Sequence, residues 1–205
     1  LIHFPCNNDH IEEALRYLKY EEFLKFQLTM QYIKLSRKKN IGVKKQFDQQ
    51  ILTQFINQLP FKLTPDQNAA VDEIINDLKK DTIMYRFIQG DVGSGKTVVG
   101  AIGLYANYLA GFQGAMMAPT EILASQHFKS LNILFKETGI NLALLTGRLS
   151  NKEKQNIYQD LDSGKINIVV GTHALFQDKV SYQKLGLVIT DEQHRFGVNQ
   201  RKALK

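Results

Sequence analysis

The chain contains the stretch Gly90-Asp91-Val92-Gly93-Ser94-Gly95-Lys96-Thr97. The stretch follows the pattern Gly-x-x-x-x-Gly-Lys-Ser/Thr, in which backbone N–H groups of a loop bind the phosphates of a nucleotide. The pattern requires a strand before the loop and a helix after it. Residues 83–88 are apolar and suit a strand, whereas apolar residues recur at helical spacing between 98 and 109, with Gly111 as a C-cap. The sequence therefore predicts a phosphate-binding loop between a strand and a helix.

A glycine-rich turn in an ordinary α/β protein is the alternative interpretation of this stretch. The complete context of strand, loop and helix favours phosphate binding, because the helix N-terminus adds oriented N–H groups and a favourable dipole. We therefore expect all eight residues of the loop to bind nucleotide.

Composition limits the class of protein. The 205 residues suffice for one core with a small subdomain, and the net charge of +6 permits a polyanionic partner without requiring one. The single cysteine, Cys6, excludes a disulfide framework and a multi-cysteine zinc site. No long apolar run or signal peptide is recognisable, so we expect a soluble cytoplasmic protein. Because the chain starts at Leu1, we expect a piece of a longer polypeptide.

Residues 1–60 are expected to form an all-helical leader. A first helix is predicted behind a capping box of Asp9 and Glu12, and a second ends before Pro60. The basic segment 37–45 separates them. A solvated loop is the interpretation that we favour for its charges, and contact with phosphate groups is the alternative.

From Phe61 onward, strands and helices alternate, which predicts an α/β domain with a parallel sheet covered on both faces. The expected helices are 65–79, 121–135 and 151–161, and the expected strands after the phosphate loop are 114–118, 142–145, 166–170 and 187–190. Ligands of such sheets bind at the carboxyl ends of the strands. The polar motifs described next all follow strands of this predicted sheet or precede its helices.

Two adjacent carboxylates, Asp191 and Glu192, end the apolar strand 187–190. Neighbouring residues of a strand point to opposite sides, so the two cannot duplicate each other. One could hold magnesium while the other orients or deprotonates the attacking water, as phosphoryl transfer requires. An acidic turn after a core strand is the alternative. His194 is expected to be a polar relay position rather than a metal ligand.

The segment before helix 65–79 allows two interpretations. Thr64, Pro65 and Gln67 suit the N-cap, N1 and N3 positions of a capping box, which local physics favours. The alternative is that the Gln67 amide binds adenine through its donor and its acceptor.

Three further loops follow strands and offer N–H groups, hydroxyls or basic groups. They contain Pro119 and Thr120, then Thr146, Gly147 and Arg148, then Gly171, Thr172 and His173. Each loop taken singly is more often only a turn or a helix cap, and Thr120 would cap the helix that begins at Glu121. Their common position at one edge of the sheet suits a row of phosphate contacts along one nucleic-acid strand.

These motifs together resemble the first motor domain of a superfamily 2 helicase, and most closely the RecG family of bacterial branch-migration helicases. The resemblance rests on residues 90–97, 117–124, 170–175 and 191–198, and the leader resembles the helical linker of that family. The Mfd family of transcription-repair translocases is the nearest rival. Its pattern has tyrosine where Ser94 stands and glutamate where Gln193 stands.

The resemblance implies a RecA-like P-loop NTPase domain over residues 61–205 that uses ATP and Mg²⁺. Lys96 would neutralise phosphates, Thr97 and Asp191 would hold Mg²⁺, and Glu192 would activate water. It further implies that Phe61 and Gln67 contact the nucleotide and that Gln193 and His194 couple the sites. The implied DNA contacts are Pro119, Thr120, Thr146, Gly147, Gly171, Thr172 and His173.

The implied activity is ATP-dependent remodelling of branched DNA, such as forks and Holliday junctions, by a monomer. A wedge domain and a second motor domain would lie elsewhere in the same polypeptide, so the isolated chain is expected to be inactive or very slow. An Mfd-like double-stranded DNA translocase and a nucleotide-dependent switch remain as alternatives.

Overall fold

A computed structural model of the chain describes residues 4–37, 42–177 and 179–192. The chain divides into two units. One comprises Leu1–Val43 with Asp81–Ile83, and the other comprises Lys44–Lys80 with Met84–Lys205. No described helix combines the length and the apolar character needed to cross a membrane.

The first unit is built around helix α1, Asn8–Arg37. Its cap differs from the prediction: the helix begins at Asn8, and the Asn7 side chain accepts a hydrogen bond from the His10 N–H at 2.9 Å. Asp9 therefore lies inside the first turn instead of capping it. Many large apolar side chains of α1 are exposed, among them Tyr17, Tyr20, Phe23, Phe26 and Tyr32.

The described part of the second unit contains five α-helices, and most begin at a side chain that caps them. They are α2 Gln49–Asn57, α3 Pro65–Leu78, α4 Lys96–Leu109, α5 Glu121–Leu134 and α6 Asn151–Asp162, with a short 3₁₀ turn at His173–Phe176. The capping box of Thr64 and Gln67 is present at α3, which confirms that prediction. Thr120 caps α5 and Ser150 caps α6. Helix α4 ends at Leu109, and Gly111 follows with a φ of +78°.

The predicted parallel sheet is confirmed. Its described strands are β1 Gln113–Met117, β2 Leu142–Leu145, β3 Ile168–Gly171 and β4 Leu185–Thr190. They lie in the order β2-β3-β1-β4, and every pair is parallel. Leu145, Gly171, Met117 and Thr190 stand in register across the sheet, so all four strands end at the same edge.

Apolar side chains pack against both faces of the sheet. Alternate residues of β1 divide between two clusters: Met116 joins the side chains of α2 to α5, whereas Ala115 and Met117 join α6 and the 3₁₀ turn. Helix α2 belongs to the first cluster, where Phe55 packs on Tyr105 with 4.2 Å between ring centroids. Helix α2 thus packs into the core. The expected boundary at residue 60, between the helical leader and the motor domain, stays a prediction.

The prediction of a strand at residues 83–88 is wrong for this structure. Residues 83–88 join no strand pair. Only Met84 and Ile88 pack against the core, whereas Tyr85 and Phe87 are exposed. Arg86 explains the course of the segment, because its guanidinium donates to Asp77 at 2.6 and 2.8 Å and also contacts Glu73. These ion pairs bind the segment to helix α3.

The expectation of a solvated basic loop is also wrong at Lys45. This side chain is only 8% exposed, and its Nζ lies 5.1 Å from the centroid of the Phe112 ring. Burial lowers the pKa of Lys45. Its backbone N–H donates to the Leu78 carbonyl at 3.0 Å, so it is fixed beside the end of α3. Lys44 is exposed, as expected.

Candidate nucleotide site and nucleic-acid groove

The predicted phosphate loop leads directly into helix α4. Gly93 and Gly95 both have a φ of +82°, a conformation that other residues rarely adopt. Gly95 is the N-cap of α4 and has no side chain to accept from the first turn. The first N–H groups of a helix lack intrahelical acceptors, so this end of α4 presents donors and a positive dipole to an anion.

Close contacts inside the loop explain why these positions are glycine. A Cβ at Gly95 would lie 2.4 Å from Gln67 Nε2, and one at Gly90 would lie 2.6 Å from Ser94 Oγ. Gly93 has open space around it, so only its φ requires glycine. Glycine therefore permits the positive φ and the close approaches of this loop, as a phosphate-binding loop requires.

Lys96 places its charge on the same loop. Its Nζ donates to the carbonyl oxygens of Gly90 and Asp91, at 2.7 Å each. An ammonium carries three protons, so these two bonds leave one for a phosphate oxygen. Val92 is fully exposed at the loop.

The acidic pair lies at the same end of the molecule as the phosphate loop. Helix α4 runs antiparallel to β4, because Gly100 faces the Ile189 side chain whereas Gly103 faces the Leu187 side chain. A helix advances about 1.5 Å per residue and a strand about 3.3 Å. Thr97 precedes Gly100 by three residues, and Asp191 follows Ile189 by two. Both therefore lie beyond the carboxyl end of β4.

Asp191 is fixed through its backbone and through its side chain. Its N–H donates to the Met117 carbonyl at 2.8 Å, and its Oδ2 lies 2.7 Å from His127 Nε2. Glu192 follows with a φ of +50°, which is uncommon for a residue other than glycine. Such strained backbone clusters at functional sites, because the surrounding structure has to impose it.

Gln67 links the capping box to the phosphate loop. Its Oε1 accepts from the Thr64 N–H at 2.9 Å, and its Nε2 donates to the Ser94 carbonyl at 2.8 Å. An amide has two lone pairs and two N–H hydrogens, so a donor and an acceptor remain for an adenine. The cap and the nucleotide contact are therefore compatible. Phe61 is exposed just before α3.

The other three predicted loops meet at one groove of about 270 Å³. It is lined by residues that follow β1, β2 and β3 and by the first turns of α6: Pro119, Thr120, Glu121, Gly147, Lys154, Tyr158, Thr172, His173, Ala174 and Gln177. Five of the seven predicted nucleic-acid contacts line it. The two others, Thr146 and Gly171, are buried behind it, and a Cβ at Gly171 would meet the Leu145 carbonyl at 2.3 Å.

The groove carries a specific pattern of charge. Lys154 Nζ donates to the Gly147 carbonyl at 2.8 Å and keeps further protons for an anion. Glu121 is the carboxylate of the lining, and Arg148 binds it at 2.8 Å. The ion pair offsets the charge that would repel phosphate. Tyr158 adds an aromatic side chain one helical turn from Lys154.

Sequence reasoning missed His127, Lys154, Tyr158 and Gln177. The spacing of Lys154 and Tyr158, four residues apart on a predicted helix, was the available signal for two of them. The sequence contains no comparable signal for His127, because its partner Asp191 is 64 residues away. The predicted coupling residues Gln193 and His194 lie outside the described residues.

Comparison with known proteins places the chain in a family. Residues 64–205 match the family described as DEAD/DEAH box helicase. The chain belongs to this family. The candidate phosphate loop and the groove both lie within the matched residues.

Relatives and a solved structure agree with this assignment. The chain is 49% identical over its whole length to the ATP-dependent DNA helicase RecG of Bacillus subtilis, and 48% identical over 203 residues, 99% of its length, to RecG of Thermotoga maritima. It spans 30% and 26% of those two relatives. The structure of RecG bound to a three-way DNA junction matches 95% of this chain, and 27% of its own, with a TM-score of 0.84 and 46% identity. The RecA-like fold expected from the sequence is thereby confirmed.

Proposed function

We propose that this chain is the nucleotide-binding motor domain of an ATP-dependent DNA helicase that acts on branched DNA. The observation that carries the proposal is the edge of the sheet, where the acidic pair and the groove follow the strand ends and the N-terminus of α4 lies on the same side. The similarity to a RecG structure bound to a three-way junction supports branched DNA as the substrate. Remodelling of stalled forks, in the bacterial cytoplasm, would be the corresponding role.

ATP would bind with its phosphates on the loop that ends at Gly95. The N–H groups at the start of α4 would donate to phosphate oxygens, and Lys96 would give its charge to the β- and γ-phosphates. Gln67, with Phe61 beside the same helix, would contact the adenine. Mg²⁺, when bound, supplies charge that stabilises the transferring phosphoryl group.

Two residues fit a magnesium ion that the nucleotide brings with it. Thr97 offers a hydroxyl at the first turn of α4, and Asp191 offers a carboxylate at the same end of the sheet. Within the described part of the chain, no three His, Cys, Asp or Glu side chains are placed to hold a metal by themselves. The phosphates would therefore complete the site, as Mg²⁺ commonly requires. Glu192 would accept the proton of the attacking water.

The groove would hold the backbone of one DNA strand. N–H groups and hydroxyls at Thr120 and Thr172, the ring of His173 and the ammonium of Lys154 suit phosphate oxygens. Tyr158 would supply an aromatic surface for a base or sugar. A second motor domain and a DNA-wedge domain of the same polypeptide would complete the enzyme, which we propose acts as a monomer.

Phosphate release by the full-length gene product tests the proposed activity. We expect branched DNA to stimulate release, and Lys96→Ala to abolish it while leaving binding to the DNA largely intact. Equal release with and without DNA would contradict the helicase proposal and favour a nucleotide switch. Release that Lys96→Ala leaves unchanged would remove this loop from the reaction.

A matched pair of lysines on α6 tests the groove. Lys154 lines it, whereas Lys152 is exposed two residues earlier on the same helix. Lys154→Ala should weaken binding of single-stranded DNA and lower the dependence of log K on log salt by about 0.7, the value for one single-strand phosphate contact. Lys152→Ala should leave that slope unchanged. The same slope for both variants would place the DNA elsewhere.

A further inference from the structure

The contact between His127 and Asp191 has no part in the site proposed so far. His127 lies on α5, its side chain is 13% exposed, and its Nε2 is 2.7 Å from Asp191 Oδ2. The Asp191 side chain is 27% exposed. A largely buried imidazole thus binds the carboxylate that we assign to magnesium.

The chemistry of the pair fixes the direction of the hydrogen bond. An ionised carboxylate only accepts, so Nε2 of His127 must carry the proton and donate it. This bond uses one lone pair of Asp191 Oδ2 and restricts the rotation of the carboxyl group. The other oxygen is then held in one direction.

Packing holds His127 in place. Ala124, three residues before it, and Leu131, four residues after it, are both fully buried. The helix is also fixed at its start, where Thr120 Oγ1 accepts from the Leu123 N–H at 3.3 Å. His127 therefore reaches Asp191 from a rigid element, and the Met117 carbonyl holds the Asp191 backbone from β1.

We propose that His127 is a positioning residue that orients the Asp191 carboxylate toward the magnesium ion of a bound nucleotide. The inference rests on the proposed role of Asp191. Partners that hydrogen-bond a metal ligand commonly change metal affinity or activity by about 10–100-fold when removed, because they determine the orientation of the ligand. The sequence gives His127 no such role, and only the fold brings it to Asp191.

Calorimetric binding of ADP to the 205-residue chain, with Mg²⁺ and with EDTA, tests the proposal. The measured quantity is the gain in affinity that Mg²⁺ provides. We expect His127→Ala to lower this gain by about 10-fold or more and to leave the affinity in EDTA unchanged. His127→Gln should restore most of the gain, because its amide N–H can donate to the same carboxylate. Gln126→Ala, at the exposed neighbouring position on α5, is the control.

The outcomes separate this inference from the proposed function. If Asp191→Asn lowers the gain but His127→Ala does not, His127 has no positioning role. A loss of affinity in EDTA equal to the loss in Mg²⁺, or a failure of His127→Gln to restore the gain, would assign His127 a merely structural role. If Asp191→Asn itself leaves the gain intact, the magnesium assignment of the proposed function is wrong.

Discussion

At the scale of single residues, substitutions at Gly93 and Gly95 separate backbone strain from side-chain contact within the phosphate loop. Both have a φ of +82°, but only Gly95 faces a neighbour, Gln67 Nε2, where a Cβ would be. Alanine at either position should cost about 1 kcal/mol of backbone strain. Gly95→Ala should in addition displace the Gln67 amide from the Ser94 carbonyl and weaken nucleotide binding much more. Calorimetry with Mg-ADP checks this, and equal affinities for the two variants would contradict it.

The two carboxylates after β4 are predicted to have different roles. Glu192→Gln in the full-length gene product should allow ATP binding but block hydrolysis, because the amide keeps the shape and cannot accept the proton. Asp191→Asn should instead weaken binding of nucleotide in the presence of Mg²⁺. Nucleotide affinity and single-turnover hydrolysis, measured on both variants, distinguish the roles. An identical defect in the two variants would show that the assignment is wrong.

Residues that depend on local geometry were predictable from the sequence, and residues that depend on the fold were not. The caps at Thr64 and Thr120 follow from a few neighbouring residues, and both predictions are confirmed. The pair of His127 and Asp191 joins two elements that are distant in sequence. Lys45 was misjudged for the same reason, since only the packed chain shows that Phe112 covers it.

At the scale of elements, the ion pairs of Arg86 are predicted to hold the segment before the phosphate loop on α3. Burial opposes ionisation of Asp77, but hydrogen bonds from Lys80 and Arg86 outweigh it and lower the pKa of Asp77. A lowered pKa stabilises the fold above the ordinary pKa of an aspartate, and this stability is lost as the pH falls through the folded-state pKa. Arg86→Ala should therefore cost about 1 kcal/mol at pH 7, a value reduced by partial solvent exposure.

Denaturant unfolding at several pH values checks this prediction. The difference between the parent and Arg86→Ala should shrink as the pH falls from the ordinary aspartate range through the lowered pKa of Asp77, because the carboxyl group is then protonated in the folded protein too. Asp77→Asn should be less stable than the parent by a similar amount at pH 7. Its own free energy of unfolding should lack the loss that protonation of Asp77 causes in the parent. A difference between parent and Arg86→Ala that stays constant from pH 7 to pH 2 would contradict the role of the pair.

The wrong prediction of a strand at residues 83–88 shows the limit of reasoning from apolar content. Its apolar content suits a buried strand, and the four described strands were all predicted from similar patterns. One charged residue within it, Arg86, finds two carboxylates on α3 instead. Apolar content predicts burial, but the partners of a charged side chain come from distant parts of the chain.

At the scale of the whole molecule, we predict that the 205-residue chain shows no DNA-stimulated ATP hydrolysis. In related enzymes an arginine supplied to the phosphates is worth about 10³–10⁵ in kcat. In the described part of the second unit, Arg86 and Arg148 are both paired with carboxylates. Phosphate release with and without branched DNA checks this, with Lys96→Ala as the blank. Robust stimulation would mean that the catalytic site is complete within these residues.

The most direct measurement of the central claim is calorimetric titration of the 205-residue chain with Mg-ATP, beside Lys96→Ala. If the loop that ends at Gly95 binds nucleotide, the parent chain should bind weakly at one site. Removal of Mg²⁺ should weaken that binding, and Lys96→Ala should abolish it. The folded state of the variant is checked by thermal unfolding. No binding by the folded parent chain, or equal binding by the parent and Lys96→Ala, would contradict the nucleotide site.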